Sequence, residues 1–282
     1  MLAGFNLLLW GTHLTDDLMP KCQAVRDAGY DGVEIPIFEG SAPDYRAIGQ
    51  RLSDMGLRRT AVAVVQSEMA NPISDQADHR EAGIDFLKWM VDCAAEAGVE
   101  TLCGPFFQPL AVFSGTGATR AEWDRLVTAH KAMADHAAGT GVALAVEPLN
   151  RFECYALNTL DQSARLVEQV GAEHYGCLFD TFHANIEERD VGAAIRAAGP
   201  AINHVHVSEN DRGAPGAGHM NFAEAFAALK STGYDGWLVV EAFGHALPDL
   251  AAATRVWRPL FKDEQDVLSG GIRTIRDGWA AA

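Results

Sequence analysis

The sequence is short of cations, of long apolar runs and of paired cysteines, and each shortage removes a class of function. Only 22 Lys and Arg stand against 38 Asp and Glu, a net charge of −16 over 282 residues. A surface this acidic repels phosphate backbones and anionic headgroups, so neither nucleic acid nor a membrane surface is expected as a partner, although a local basic pocket remains allowed. No apolar run approaches the roughly 20 residues that span a bilayer. The longest near the start, Phe5–Trp10, follows no basic segment and precedes no small-residue cleavage site, so it reads as a strand and not as a leader. The five cysteines (Cys22, Cys93, Cys103, Cys154, Cys177) are odd in number and contain no CxxC pair. Free thiols in a reducing cytosol fit them better than a disulfide framework, which makes a cytoplasmic protein the expectation. Also missing are a linker, a charge block and a low-complexity stretch, so residues 1–282 are expected to form one domain.

What is present is alternation. Eight short apolar segments read as strands: Phe5–Trp10, Gly32–Ile37, Arg58–Val65, Glu100–Pro105, Val142–Glu147, Tyr175–Asp180, Ile202–Val207 and Trp237–Ala242. Between them lie stretches of helical period, such as Ile84, Leu87, Val91, Ala94 and Leu126, His130, Met133, Ala137. Thr119 with Glu122, and Thr159 with Gln162, have the spacing of capping boxes. Seven glycines (Gly29, Gly56, Gly98, Gly141, Gly171, Gly199, Gly233) stand just before seven of the strands, where a left-handed residue ends a helix and turns the chain. Gly29-Tyr30-Asp31-Gly32 and Gly233-Tyr234-Asp235-Gly236 echo each other at two such joins. Eight alternating units in this length argue for a (β/α)8 TIM barrel. The competing doubly wound sheet should carry a Gly-rich turn after its first strand, and Trp10-Gly11-Thr12-His13 is not one.

In such a barrel the functional side chains gather at the carboxyl ends of the strands. Strands five to eight end in Glu147, Asp180, His206 and Glu241, each closing an otherwise apolar run. Ionisable groups there are costly unless they are paired or bound to a cation. Four in succession favour one shared divalent metal, with a cluster of salt bridges as the alternative. Three carboxylates and an imidazole form a hard donor set, suited to Mn²⁺ first and to Mg²⁺ or Co²⁺ before a structural zinc. Glu153, His183 and Arg212 follow on the adjoining loops, where they either bind a small polar substrate or are ordinary loop charges.

Three motifs in order, Glu147-Pro148-Leu149-Asn150-Arg151-Phe152-Glu153, Asp180-Thr181-Phe182-His183-Ala184-Asn185-Ile186-Glu187-Glu188, and His204 to Gly218 with Arg212, resemble the D-tagatose 3-epimerase (D-allulose 3-epimerase) family of sugar isomerase/epimerase barrels, whose fold is xylose-isomerase-like. The resemblance covers most of the chain and is strongest from about residue 98 to 244. It implies that Glu147, Asp180, His206 and Glu241 hold one divalent metal and that Glu147 and Glu241 are the catalytic acid/base pair. It implies that Glu153, His183 and Arg212 hold the O1 and O2 end of a ketose, and that the protein is a homo-oligomer, dimer or tetramer. The sequence departs from the family at Pro148, at Gly104–Pro109 and at Phe5–Thr12, which puts substrate preference in doubt. A metal beside the carbonyl stabilises an enediolate, and epimerisation asks for a base on each face of C3.

The alternative on the same metal site is an aldose–ketose or hydroxypyruvate-type isomerase, with a keto-inositol dehydratase as a further variant. An endonuclease-type phosphodiesterase would want more histidine and a basic groove. A non-catalytic sugar-binding barrel would be expected to lack one of the two glutamates. Of the remaining residues, His204 reads as an interior histidine or a support behind His206, and Glu34 as a pocket or pairing residue. Phe106, Phe107 and Phe113 read as a pocket wall or core. Trp123, Trp257 and His130 read as helix packing or core, with His13, His219 and His245 as lesser pocket candidates. The Gly213–Gly218 run lacks the Lys of a phosphate loop and reads as a mobile loop carrying Arg212.

Overall fold

The computed structural model describes residues 1–245 and 247–282. Eight strands, β1 (Leu2–Asn6), β2 (Gly32–Pro36), β3 (Arg58–Val62), β4 (Thr101–Gly104), β5 (Ala143–Val146), β6 (Tyr175–Asp180), β7 (Ile202–Val207) and β8 (Trp237–Val240), pair in parallel and in sequence order. β1 closes the barrel on β8, with Leu2 opposite Trp237 and Phe5 opposite Val240. The helices are α1 (Met19–Asp27), α2 (Ala42–Asp54), α3 (Ala77–Ala97), α4 (Arg120–Ala137), α5 (Leu160–Val170), α6 (Thr181–Glu187), α7 (Val191–Ala198), α8 (Phe222–Ser231), α9 (Pro248–Ala253) and α10 (Glu264–Ala281). No helix among the described residues is long and apolar enough to cross a membrane.

Six helix stops fall at the expected glycines, and the seventh, Gly141, lies in the turn that follows α4, which ends at Ala137. All seven have positive φ, from 43° at Gly199 to 94° at Gly29, a region that costs an L-residue strain. Both expected capping boxes form, at Thr119 with Glu122 and at Thr159 with Gln162. The two echoed tetrapeptides also do matching work: Asp31 accepts the Ala3 amide at 2.7 Å, and Asp235 accepts the Met1 amine, each tying β1 to a helix-to-strand join.

The first strand is displaced from its expected position. It ends at Asn6, and Leu7–Leu9 curl into a short 3-10 turn whose first free amide, that of Leu8, is capped by the Asn6 side chain at 2.9 Å. The three leucines are buried in the turn, and an apolar run buried on all sides looks alike in sequence whether extended or coiled.

Alternation along each strand sorts the core into two zones. Val33, Ile35, Phe179, Val205 and Val240 point outward, where they pack with helix residues such as Leu87, Val91 and Leu126 in the main apolar cluster. Burying each large side chain of this kind is worth about 1.5–3 kcal/mol. Leu8, Val62, Cys103, Ala145, Leu178 and Phe243 form a smaller cluster inside the barrel. The polar residues that share the interior, Glu34, Thr60, His204 and His206, are fully buried, and they lie directly beneath the carboxyl-end rim.

Candidate active site

Four strands deliver one ionisable residue each to a common point. Asp180 and His206 are cross-strand neighbours on β6 and β7, while Glu147 and Glu241 stand one residue past β5 and β8. His206 Nδ1 lies 3.3 Å from Glu241 Oε1, 3.7 Å from Asp180 Oδ2 and 3.8 Å from Glu147 Oε1. One donor atom from each of the four residues lies within 4.8 Å of the others. His206 Nδ1 is buried and has no hydrogen-bond partner, whereas its Nε2 contacts Glu34 Oε1 at 2.7 Å. An inward-facing lone pair on an oriented imidazole, ringed by three carboxylates, fits a divalent cation.

Above this cluster sits a second layer. Arg212 has φ of +67°, set in a loop that returns across the mouth of β7 and β8. Its Nη1 donates to Glu241 Oε2 at 2.5 Å, to Ser208 Oγ at 3.0 Å and to Asp180 Oδ2 at 3.2 Å. Its guanidinium is held between the rings of Phe182 and Phe243, 4.0 and 5.0 Å from their centroids. The loop is not left free: the buried Glu209 carboxylate accepts the amides of Asn210, Gly216 and Met220 at 2.9–3.0 Å. The segment read in sequence as a mobile loop is therefore drawn round an internal acceptor.

Asp180 caps α6, accepting the amides of Phe182 at 2.5 Å and His183 at 3.2 Å, and so places His183 beside the cluster. The Asn150 amide donates to His183 Nδ1 at 3.0 Å, and Asn150 Nδ2 donates to Glu153 Oε1 at 2.8 Å. The other ring nitrogen, His183 Nε2, accepts from Arg212 Nη2 at 2.7 Å, so the guanidinium and the imidazole are joined at the edge of the cluster.

The electrostatics follow from burying many charges together. Burial pushes the Glu147 carboxyl well above the usual range, with the charges of Glu241 and Asp180 adding to it against His206 and Arg212. Burial likewise carries Glu241 up to about 7 against His206 and Arg212. Burial works against Asp180 too, but Arg212 foremost, then His206 and His183, hold it well below its ordinary value. Burial and the Arg212 charge push His183 down to about 4. The result is two proton-hungry glutamates beside one firmly ionised aspartate.

Five of the seven site residues read from sequence, Glu147, Glu153, His183, Arg212 and Glu241, line one cavity of about 340 Å³; Asp180 and His206 are buried beside Glu147 and Glu241 and do not line it. Its outer walls are largely apolar, from Phe38, Val62, Leu110, Phe243 and Leu250. Of the segments that depart from the family pattern, Leu8, Thr12 and Pro105 reach this lining and Pro148 does not. Of the two readings for the phenylalanines, core holds for Phe106 and Phe107, which are fully buried, and neither holds for Phe113, which is half exposed outside the pocket. Trp257 is 72% exposed on the α9–α10 connection, unlike Trp123, which is buried with its indole donating to Gln169. His130 is core, bonded to Tyr175. His13, His219 and His245 all lie off the lining. Glu34 and His204 turn out to be partners, 2.8 Å apart beneath His206. Sequence reading missed Asn6, Thr60, Asn150 and Ser208; only the position of Asn150 inside a recognised motif could have signalled any of them.

Comparison with known proteins agrees with this fold. The family model for xylose isomerase-like TIM barrels matches residues 22–267. A probable ketose 3-epimerase of Synechocystis sp. is 30% identical over 97% of this chain and 95% of its own length. A ketose 3-epimerase of Arthrobacter globiformis is 31% identical over 98% and 96%. The crystal structure of a D-allulose 3-epimerase from Methylomonas sp. in complex with D-allulose superposes with a TM-score of 0.91 at 28% identity, covering 98% of this chain and 96% of that one. With a closed eight-stranded barrel and relatives matched over nearly their full lengths, this chain belongs to the xylose isomerase-like TIM barrels and, within them, to the isomerase-class family of ketose 3-epimerases.

Proposed function

We propose that this protein is a divalent-metal-dependent 3-epimerase of free ketohexoses or ketopentoses that works through a cis-enediolate, with Glu147 and Glu241 as its acid/base pair. The observation that carries the reading is the convergence of two glutamates from β5 and β8, three strands apart round the barrel, on one buried point beside His206. Inverting C3 requires a proton to leave one face and another to arrive on the opposite face, so a carboxyl on each side is the minimum equipment. Burial raises both carboxyls above the usual carboxylate range, Glu241 to about 7, where a carboxylate is a competent base and a carboxylic acid a competent donor.

A divalent cation, Mn²⁺ by the hardness of the donors, would be held by Glu147, Asp180, His206 and Glu241 and would supply electrophilic stabilisation of the charge that develops on the ketose oxygens. The remaining work is done by side chains. Arg212 and His183, hydrogen-bonded to each other on the cavity lining, hold the O1 and O2 end of the sugar, and Glu153 accepts from a hydroxyl beside them. The single cation on the cavity lining, Arg212, is already engaged by Asp180 and Glu241, and Asp249 and Glu153 add negative charge at the rim. That balance favours an uncharged sugar over a sugar phosphate.

The test is ¹H NMR in D₂O with Mn²⁺ and a panel of D-fructose, D-allulose, D-tagatose, D-ribulose and L-ribulose, each repeated with a chelator. Deuterium entering C3 together with formation of the C3 epimer, both lost on chelation, is the expected result. Deuterium at C1 or C2 with an aldose product would move the protein to the aldose–ketose isomerases on the same site.

A further inference from the structure

We propose that Glu34, on the floor of the barrel, is the positioning residue of the centre: its carboxylate fixes the tautomer and ring orientation of His206, so that Nδ1 faces Glu147, Asp180 and Glu241 with its lone pair free. The inference rests on the reading of those four residues as the cation site.

Glu34 lies on β2 in register with Asn6 of β1 and Thr60 of β3, and it is fully buried. Both of its oxygens are saturated by donors. Oε1 accepts from His206 Nε2 at 2.7 Å and from Asn6 Nδ2 at 3.0 Å. Oε2 accepts from His204 Nε2 at 2.8 Å, Thr60 Oγ1 at 2.8 Å and Cys103 Sγ at 3.3 Å. An ionised carboxylate has nothing to donate, so each imidazole must bring its proton to Nε2. The proton on Nε2 leaves Nδ1 as the ligand atom, and the short Oε1 contact sets the plane of the ring. Asn6 Nδ2 also reaches Glu241 Oε1 at 3.2 Å, so the same carboxylate steadies a second of the four residues.

The cluster invites a rival reading. Glu34, Cys103, His204 and His206 offer donor atoms within 4.8 Å of one another and could be taken for a second, softer metal site. The hydrogen bonding speaks against it. Every polar atom inside the cluster has its partner there, and the atoms left over, Nδ1 of His204 and Nδ1 of His206, are on the far edges of the two rings.

The experiment measures Mn²⁺ affinity by titration calorimetry and by the EPR signal of free Mn²⁺, in the full-length protein and in two variants. Glu34→Gln keeps the volume but sets an amide N–H₂ against one of the Nε2–H groups, and its affinity should fall by about 10–100-fold. Thr60→Val removes a donor to Oε2 while leaving the Oε1–His206 contact, so it should lower thermal stability with Mn²⁺ affinity unchanged; a role in packing alone would make the two variants behave alike. A folded Glu34→Gln protein with wild-type affinity overturns the proposal. If that variant does not fold, ¹⁵N NMR of the Mg²⁺-loaded wild type decides: His206 should carry a slowly exchanging proton on Nε2, and a bare or metal-shifted Nε2 overturns the proposal in favour of the opposite tautomer or the lower metal site. A wild-type protein that binds no divalent cation defeats the proposed function itself, a result distinct from undiminished binding in Glu34→Gln.

Discussion

Replacing the two glutamates one at a time should split epimerisation into its halves. Glu241→Gln conserves shape and removes a base that lies 3.3 Å from His206 and 2.5 Å from Arg212. Because Arg212 Nη1 must meet an oxygen, the glutamine carbonyl turns toward it and the amide N–H₂ faces His206 and Asn6. The reaction should slow by about 10²–10⁴-fold, the usual worth of a positioned acid/base. That corresponds to about 3–5 kcal/mol of barrier. Metal affinity should weaken as well, so the comparison is made at saturating Mn²⁺ with occupancy measured. The sharper readout is stereochemical. In D₂O the Glu241→Gln protein, which retains Glu147, should exchange the C3 proton of one epimer and form none of the other. Glu147→Gln should exchange the C3 proton of the opposite epimer. If both variants exchange the same epimer, or if either still epimerises at near the wild-type rate, the two-base reasoning is wrong.

Other perturbations read out separate layers of the site. Arg212→Ala removes a donor from the substrate end and should cost about 10²–10³-fold in kcat/KM with the cation still bound, so release of Mn²⁺ in that variant would show that the residue has been assigned to the wrong layer. Glu209→Gln strips acceptor capacity from the loop that presents Arg212 and should cost about 1–3 kcal/mol of stability, with faster amide exchange at Gly216 and Met220; unaltered exchange there would mean the loop is held by something else. Burial pushes His130 down to about 3, so the folded protein keeps it neutral while the unfolded chain protonates it below about 6.5. Stability from this group is therefore whole above that range and is lost as pH falls, by roughly 1.4 kcal/mol per unit until the folded value is reached. In His130→Gln the decline of the urea midpoint between pH 6 and pH 4 should be shallower by that amount, and parallel curves would refute the assignment.

The parts of the fold that were legible in the sequence are those set by local chemistry. A glycine of positive φ at each of seven helix-to-strand joins has one conformational reason to be there, and a charged residue closing an apolar strand has few; both gave position as well as type. What escaped is what depends on distant neighbours. Glu34 reads in sequence as a pocket or pairing residue and His204 as an interior or supporting one, but Asn6, Thr60 and Cys103 come from three further strands that no spacing links to them; only closure of the barrel puts these three, with His204 and His206, round one carboxylate. The first strand was misplaced for a related reason, since Leu7–Leu9 are apolar for the sake of a buried turn rather than a ladder. Phe113, read as pocket wall or core, and Trp257, read as helix packing, are both exposed, because the residue type alone does not say whether a loop side chain turns inward.

Charge balance ties these observations to the proposed chemistry. Four buried carboxylates, Glu34, Glu147, Asp180 and Glu241, share the barrel mouth with one permanent cation, Arg212. Burial first, and the neighbouring carboxylate charges after it, drive protons onto Glu147 and Glu241, which is why both titrate high. On the proposed reading a dication joins Arg212, the histidines are neutral, and a single negative charge remains over. One proton on either Glu147 or Glu241 then brings the centre to neutrality. That is also the state an acid/base pair needs, with one member protonated to give and the other ionised to take. The proton can sit on either glutamate at the same net charge, so the electrostatics impose no direction on the reaction and the two epimers can be handled by one site. Arg212→Met, which keeps much of the volume and deletes the permanent cation, would unbalance this count by one. It should therefore bind Mn²⁺ more tightly while turning over more slowly, and looser metal binding would refute the charge argument.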